Sequence, residues 1–176
     1  MAAGDSGAAL ESLYQRFAGR TLALLQRILG SPAEAEELLQ DVFVEVWKRA
    51  PQYDPLRAGV STWVLTIARS RGLDALRARQ RRGAGRHVQA DDAQMQAPRA
   101  DRPDERAAEG ERSAAVHTAL AQLSDVQRQA LELAYFEGLS HREIAERIDA
   151  PVGTVKSRII SAMKLLRDTL GGGAKA

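Results

Sequence analysis

From Leu10 to Leu170 apolar residues recur every three or four positions, and the pattern lapses at length only between Gly83 and Glu111. A spacing of three and four puts apolar side chains on one face of an α-helix, whereas a strand would need alternation. Runs of β-branched residues bounded by turn signals are nearly absent, and Leu, Ala, Arg and Glu dominate. These side chains lose little rotamer freedom in a helix. The expectation is an all-α protein: two small helical domains joined by a flexible linker. A chain of 176 residues with 44% hydrophobic content can fill two such cores.

Local signals place the helices. The first runs from about Asp5 to Leu29, carries Leu10, Leu13, Tyr14, Phe17, Leu24 and Ile28, and ends at Gly30. Ser31-Pro32-Ala33-Glu34 reads as an N-cap, a proline in the first turn and a glutamate closing a capping box. The helix that follows carries Leu38, Leu39, Val42, Phe43, Val46 and Trp47 and is closed by Pro51. Tyr53-Asp54-Pro55 supplies turn chemistry in a loop reaching Gly59. Ser61 is expected to cap a third helix, with Trp63, Val64, Ile67, Leu73 and Leu76, that fades into the arginine-rich Arg77–Arg86. The stretch to Glu111, rich in Gly, Ala, Gln, Asp and Arg with two prolines, reads as a tether. Beyond it, Ser124-Asp125-Val126-Gln127 and Ser140-His141-Arg142-Glu143 are two further capping boxes. The last helix, with Thr154 as the expected N-cap, carries Val155, Ile159, Ala162, Leu166 and Leu170 on one stripe.

The net charge of +2 hides an uneven distribution. Ser31–Ala50 holds five acids (Glu34, Glu36, Glu37, Asp41, Glu45) against Lys48 and Arg49. Leu65–Ala90 holds seven arginines (69, 71, 77, 79, 81, 82, 86) against Asp74. Residues 91–112 turn acidic and 154–176 basic again. Two basic blocks could meet an anionic polymer at two places; alternatively, arginines simply coat solvated helices.

Several classes are disfavoured. No cysteine is present, so there is no disulfide framework, thiolate zinc site or cysteine nucleophile. Met1–Gly7 lacks the basic start and apolar core of a signal peptide, and no stretch approaches the roughly 20 apolar residues that span a bilayer. A cytoplasmic protein without membrane insertion is expected. His87, His117 and His141 are scattered, and no H-E-x-x-H, P-loop or nucleophile elbow occurs, so no catalytic residue, metal or cofactor is expected.

A short helix, a tight turn and a longer basic helix form the layout of a helix-turn-helix. Ala145 is small where the helices approach, and Val155 is apolar where the second anchors on the first. Ser157, Ile160 and Ser161 lie near the groove-facing side, and Lys156 and Arg158 can reach phosphates or base edges. The amides at the helix start suit a phosphate. Asp149 stands where such turns usually carry glycine, and aspartate tolerates a left-handed backbone better than most residues. The bland alternative is an ordinary helical hairpin.

Tyr135-Phe136-Glu137-Gly138-Leu139-Ser140, Glu143-Ile144-Ala145 and Pro151-Val152-Gly153-Thr154-Val155-Lys156-Ser157-Arg158 together resemble region 4 of the extracytoplasmic-function (ECF) sigma factors. Ala35-Glu36-Glu37-Leu38-Leu39-Gln40-Asp41-Val42-Phe43-Val44-Glu45-Val46-Trp47 resembles the region 2 helix that grips RNA polymerase. Ser61-Thr62-Trp63 and Ile67 to Arg77 resemble the promoter-melting, −10-reading segment. The resemblance implies region 2 over 1–83, a linker over 84–112, region 4 over 113–170 and a tail over 171–176.

The resemblance also implies roles. Gln40, Asp41, Val42, Phe43, Glu45 and Trp47 would bind core polymerase, docking on the coiled coil of the β′ clamp, with the β subunit as a further partner. Phe43 and Trp47 are also partly core in this reading. The loop from Tyr53 to Val60, with Ser61 and Thr62, would form a pocket for an extruded −10 base, with Arg69, Arg71 and Arg77 on phosphates. Trp63 could stack on a base, although its spacing favours core. Asp74 reads as an ion-pair partner. Thr154, Lys156, Ser157, Arg158, Ile160 and Ser161, with Arg142 near the backbone, would meet the −35 element. The tether would thread toward the RNA exit path and hold two weak DNA contacts at high effective concentration. A cognate anti-sigma factor is an expected partner, the free protein is expected to be monomeric, and control by an appended C-terminal domain is not expected. A stand-alone helix-turn-helix regulator remains an alternative; an enzyme or a purely structural bundle fits the patterns less well.

Overall fold

The computed structural model describes residues 3–83 and 114–171; the expected linker and the tail from 172 onward lie outside the described residues. All regular structure among the described residues is helical, in two compact units. The first contains α1 (Ala3–Leu29), α2 (Pro32–Arg49), a 3₁₀ turn at Ala50–Gln52, and α3 (Val60–Arg81). The second contains α4 (114–121), α5 (Asp125–Tyr135), α6 (His141–Arg147) and α7 (Val152–Gly171). No described helix is long and apolar enough to cross a membrane.

In the first unit each helix packs on the other two. Leu25, Val42, Val46 and Val64 are fully buried, joined by Phe17, Ile28, Phe43, Ile67, Leu73 and Leu76. Removing each such side chain from water stabilises the fold by about 1.5–3 kcal/mol. Gly72 allows α3 to press against α1: a Cβ there would meet Ile28 Cδ1 and Leu25 Cδ2 at 3.2 Å. Val42 and Phe43 belong to this core, at 0% and 4% exposure, with Tyr14 edge-on to Phe43 at 4.8 Å. In the free protein these two side chains, both expected at the polymerase contact, face inward.

The helix ends follow the sequence signals in part. Gly30 closes α1 with φ 64°, and Ser31 caps α2 by accepting from the Glu34 amide at 3.4 Å. The expected reciprocal half of that capping box is replaced: the Glu34 carboxylate pairs with Arg79 at 2.9 Å. Arg79 also donates to the Leu29 carbonyl at 2.9 Å, satisfying an oxygen that the end of α1 leaves without a helical partner. Pro51 sits inside a 3₁₀ turn that continues from α2 and does not stop the chain sharply. α3 starts at Val60 with Gly59 as its N-cap, so Ser61 lies inside the helix, and no side chain caps it.

Arg79 therefore staples the end of α1 to the start of α2 from the far end of α3. Replacing it by alanine is expected to lower the stability of this unit by about 1–2 kcal/mol, the range for hydrogen bonds to a charged group, trimmed because Glu34 is half exposed. Urea unfolding at neutral pH checks this; an unchanged midpoint would show the staple to be dispensable.

Candidate functional site

The second unit builds a helix-turn-helix. Ser140 caps α6 through a complete capping box: its hydroxyl accepts from the Glu143 amide at 3.3 Å, and its own amide donates to Glu143 Oε2 at 2.7 Å. Gln127 closes the matching contact at α5 by accepting from the Ser124 amide at 3.1 Å. Leu133, Ile144, Ala145 and Val155 form the core, with Leu139, Ile148 and Ile159 packed against it. Ala145 and Val155 thus sit where the close approach and the anchor were expected.

The turn between α6 and α7 rests on Asp149, the one non-glycine residue with positive φ (47°) among those described. The Ile148 amide donates to Ile144 O at 3.0 Å and the Ala150 amide to Ala145 O at 3.0 Å, a six-residue closure that needs a left-handed residue between them. Any side chain in that conformation costs about 1 kcal/mol. Asp149→Gly relieves it and gives back part in chain entropy, so a net gain of about 0.5 kcal/mol is expected. That gain raises the thermal midpoint of this unit by roughly 2–4 °C; a lower midpoint would show that the aspartate side chain is itself required.

α7 begins at Val152, and the Thr154 and Val155 amides already donate to Pro151 O at 2.9 and 3.1 Å. Thr154 is therefore not the N-cap. The chain leaves the turn through Pro151, whose fixed φ suits a helix start. At about 100° per residue, Val155, Ile159, Ala162 and Leu166 make the inward stripe of α7. Gly153, Ser157, Ile160 and Lys164 lie roughly 130–190° away, and Lys156 and Arg158 fall on opposite shoulders. The Ser157 hydroxyl donates to Thr154 O at 2.9 Å. Ser161 is engaged on α5, accepting from Gln127 Nε2 at 3.0 Å and donating to Arg158 O at 3.0 Å. Arg142 is held by Glu146 at 3.3 Å on the exposed side of α6.

In the first unit the α2–α3 loop is preformed. The Tyr53 hydroxyl donates to Ala58 O at 3.0 Å, and Asp54 Oδ1 accepts from the Leu56 amide at 2.9 Å. Tyr53 packs on Trp63 with ring centroids 5.0 Å apart. Trp63 is half-buried and braces the loop through this contact. The loop's most prominent side chain is one that sequence reasoning missed: Leu56, 95% exposed. Ser61 is half-buried and Thr62 exposed at the start of α3. Arg69 follows on the side of Thr62 and Thr66, whereas Arg71 projects about 160° away round the helix. The structure thus does not bring Arg69 and Arg71 onto one face. Arg77 is exposed and lies 3.6 Å from Asp74, the ion pair expected of that aspartate.

On α2, Gln40, Val44 and Trp47 form one exposed stripe, with Asp41 at its edge. Val44 (50% exposed) was missed, although its position four residues after Gln40 was the signal. Glu45 is half-buried and tied to Arg49 at 2.6 Å. Among the described residues no cluster of three or more His, Cys, Asp or Glu could hold a metal ion.

This geometry is that of a two-module helical protein with a helix-turn-helix in its second module. Residues 13–82 match the Sigma-70 region 2 family and residues 113–166 the Sigma-70 region 4 family. The ECF RNA polymerase sigma factor SigK of Mycobacterium tuberculosis (strain ATCC 25618 / H37Rv) is 34% identical over 168 residues, 96% of this chain and 89% of that protein. SigK of Mycobacterium sp. (strain KMS) is 32% identical over 167 residues, 93% of this chain and 83% of that protein. Among solved structures, Rhodobacter sphaeroides SigE in complex with the anti-sigma ChrR is 35% identical, with a TM-score of 0.44 and coverage of 92% and 89% of the two chains. The chain belongs to the ECF family of RNA polymerase sigma factors.

Proposed function

We propose that the exposed α2 stripe of Gln40, Asp41, Val44 and Trp47 binds core RNA polymerase through the β′ clamp, with the β subunit as a further contact. The loop around Leu56, with Thr62 and Arg69, meets the −10 element, and α7 lies in the major groove at the −35 element. Residues 84–112 serve as the tether between the DNA contacts. The observation that carries this reading is the outward face of α7. Gly153, Ser157 and Ile160 give its first two and a half turns an uncharged centre that Lys164 ends, Lys156 and Arg158 occupy the two shoulders, and the buried Ile144 and Val155 share the core that joins α7 to α6. That arrangement suits a helix whose centre reads base edges while its flanks meet phosphates.

Leu56 adds an apolar group at the loop tip, able to enter a gap between unstacking bases, and Tyr53 and Trp63 hold the loop in shape. A stand-alone regulator would need neither this loop nor the α2 stripe. The free protein acts in the cytoplasm, without enzymatic activity, and is held inactive by an anti-sigma protein of the kind seen with SigE of R. sphaeroides.

Run-off transcription with purified bacterial core polymerase on a promoter library tests the whole reading. Start sites that require the chain, and that decline with Asp41→Ala or Lys156→Ala, are the expected result. DNA binding without any association with core enzyme would return the stand-alone regulator to first place.

A further inference from the structure

Ile160 is the one large apolar side chain on the outward stripe of α7, and it is 58% exposed. Its neighbours on that stripe are Gly153, Ser157 and Lys164, none of which offers it an apolar partner. Helix propensity does not explain it either, since a β-branched residue is a middling helix former. Met163, also exposed, lies on the shoulder near Ile159, and the inward stripe is complete without Ile160.

Three features fix what could cover it. Lys156 and Arg158 flank the stripe, so an anionic polymer is the favoured occupant. Gly153 has open space where a Cβ would stand, so nothing within the unit requires glycine there, and its absence of a side chain lets α7 approach closely at its first turn. Ser161 is engaged by Gln127 and Arg158 and the Ser157 hydroxyl donates to Thr154 O, which leaves Ile160 as the apolar group of the stripe, with Ser157 an acceptor one turn before it and Lys164 a cation one turn beyond. In the major groove the exposed apolar group is the thymine 5-methyl. A β-branched side chain in a helix is nearly locked at χ1, so the Ile160 methyls are already placed before DNA arrives.

We infer that Ile160 reads a thymine 5-methyl group within the −35 element, on whichever strand presents it to α7. This inference rests on the proposed role of α7 and names the base-level contact. Ser157 beside it supplies a sequence-tolerant hydroxyl, so discrimination at this step is steric and apolar.

The test uses holoenzyme assembled from core polymerase and the full chain, on a promoter selected in the transcription assay. Each −35 thymine, on either strand, is replaced singly by 2′-deoxyuridine, which removes the methyl and leaves the pairing edge unchanged. Open-complex formation should fall about three- to fivefold at one position, the worth of roughly one buried methyl. Ile160→Ala should abolish the distinction between thymine and uracil at that position alone, and Ile160→Val should retain part of it. Uracil insensitivity at every position, selected promoters with no A·T pair in the −35 element, or a sensitivity that persists in Ile160→Ala would overturn the inference. Holoenzyme that initiates from specific promoters in those cases leaves the proposed function standing. Failure to initiate from any promoter would defeat the underlying reading and this inference with it.

Discussion

Trp47→Ala is expected to weaken association with core polymerase by about 10- to 100-fold, the range of a truncated aromatic hot spot. Trp47 is 42% exposed on a helix whose inward face is already filled by Leu39, Val42, Phe43 and Val46. A tryptophan left partly in water beside Val44 and Gln40 is available to a partner at little ordering cost, because it has only two side-chain torsions. The part of Trp47 that does pack contributes to stability, so fluorescence-independent melting of the variant must accompany the binding titration. Val44→Ala, with less surface to lose, should weaken binding only severalfold. Val42→Ala and Phe43→Ala should act differently, lowering stability first. Unchanged affinity in Trp47→Ala would move the polymerase contact away from this stripe.

Ile144→Ala is expected to cost about 2–5 kcal/mol, the range for truncating a fully buried aliphatic side chain. Ile144 is completely buried at the centre of the helix-turn-helix core, where Leu133, Ala145 and Val155 cannot collapse into the space without moving α6 on α7. A unit this small has little stability to spare. Its thermal transition should fall below working temperature or vanish, and −35-dependent transcription should vanish with it. The first unit, with its separate core, should keep its own transition. Retention of a normal second-unit transition in this variant would mean that the core relaxes far more freely than its packing implies.

The sequence was most informative where chemistry is local. Ser140 and Glu143 are three residues apart and can hardly fail to find each other, and the Asp149 turn followed from the backbone closure that any such hairpin needs. Ser31 and Glu34 show the same spacing, yet Glu34 was drawn to Arg79, 45 residues along the chain, a contact no local pattern encodes. Ser61 and Thr154 look like caps, but Gly59 and Pro151 start their helices earlier, because chain entry is set by the preceding turn. The α2 acids identified a face, while burial decided which members reach solvent: Val44 does, and Val42 and Phe43 do not. Arg69 and Arg71 are adjacent in composition and far apart in direction, which only the helix phase reveals.

The Arg79 staple has a consequence for how tightly the first unit's DNA contacts depend on salt. Each cation that neutralises a phosphate on a single strand releases a condensed counterion and steepens the logarithmic salt slope by about 0.7, and by about 0.9 on duplex. Arg79 spends its guanidinium on Leu29 and Glu34, so it releases none. The ionic-strength dependence of −10 engagement should therefore be shallower than the arginine count of α3 suggests. Glu34→Gln removes the carboxylate that neutralises Arg79, so the slope should steepen by at most about 0.7, the worth of one single-strand phosphate contact.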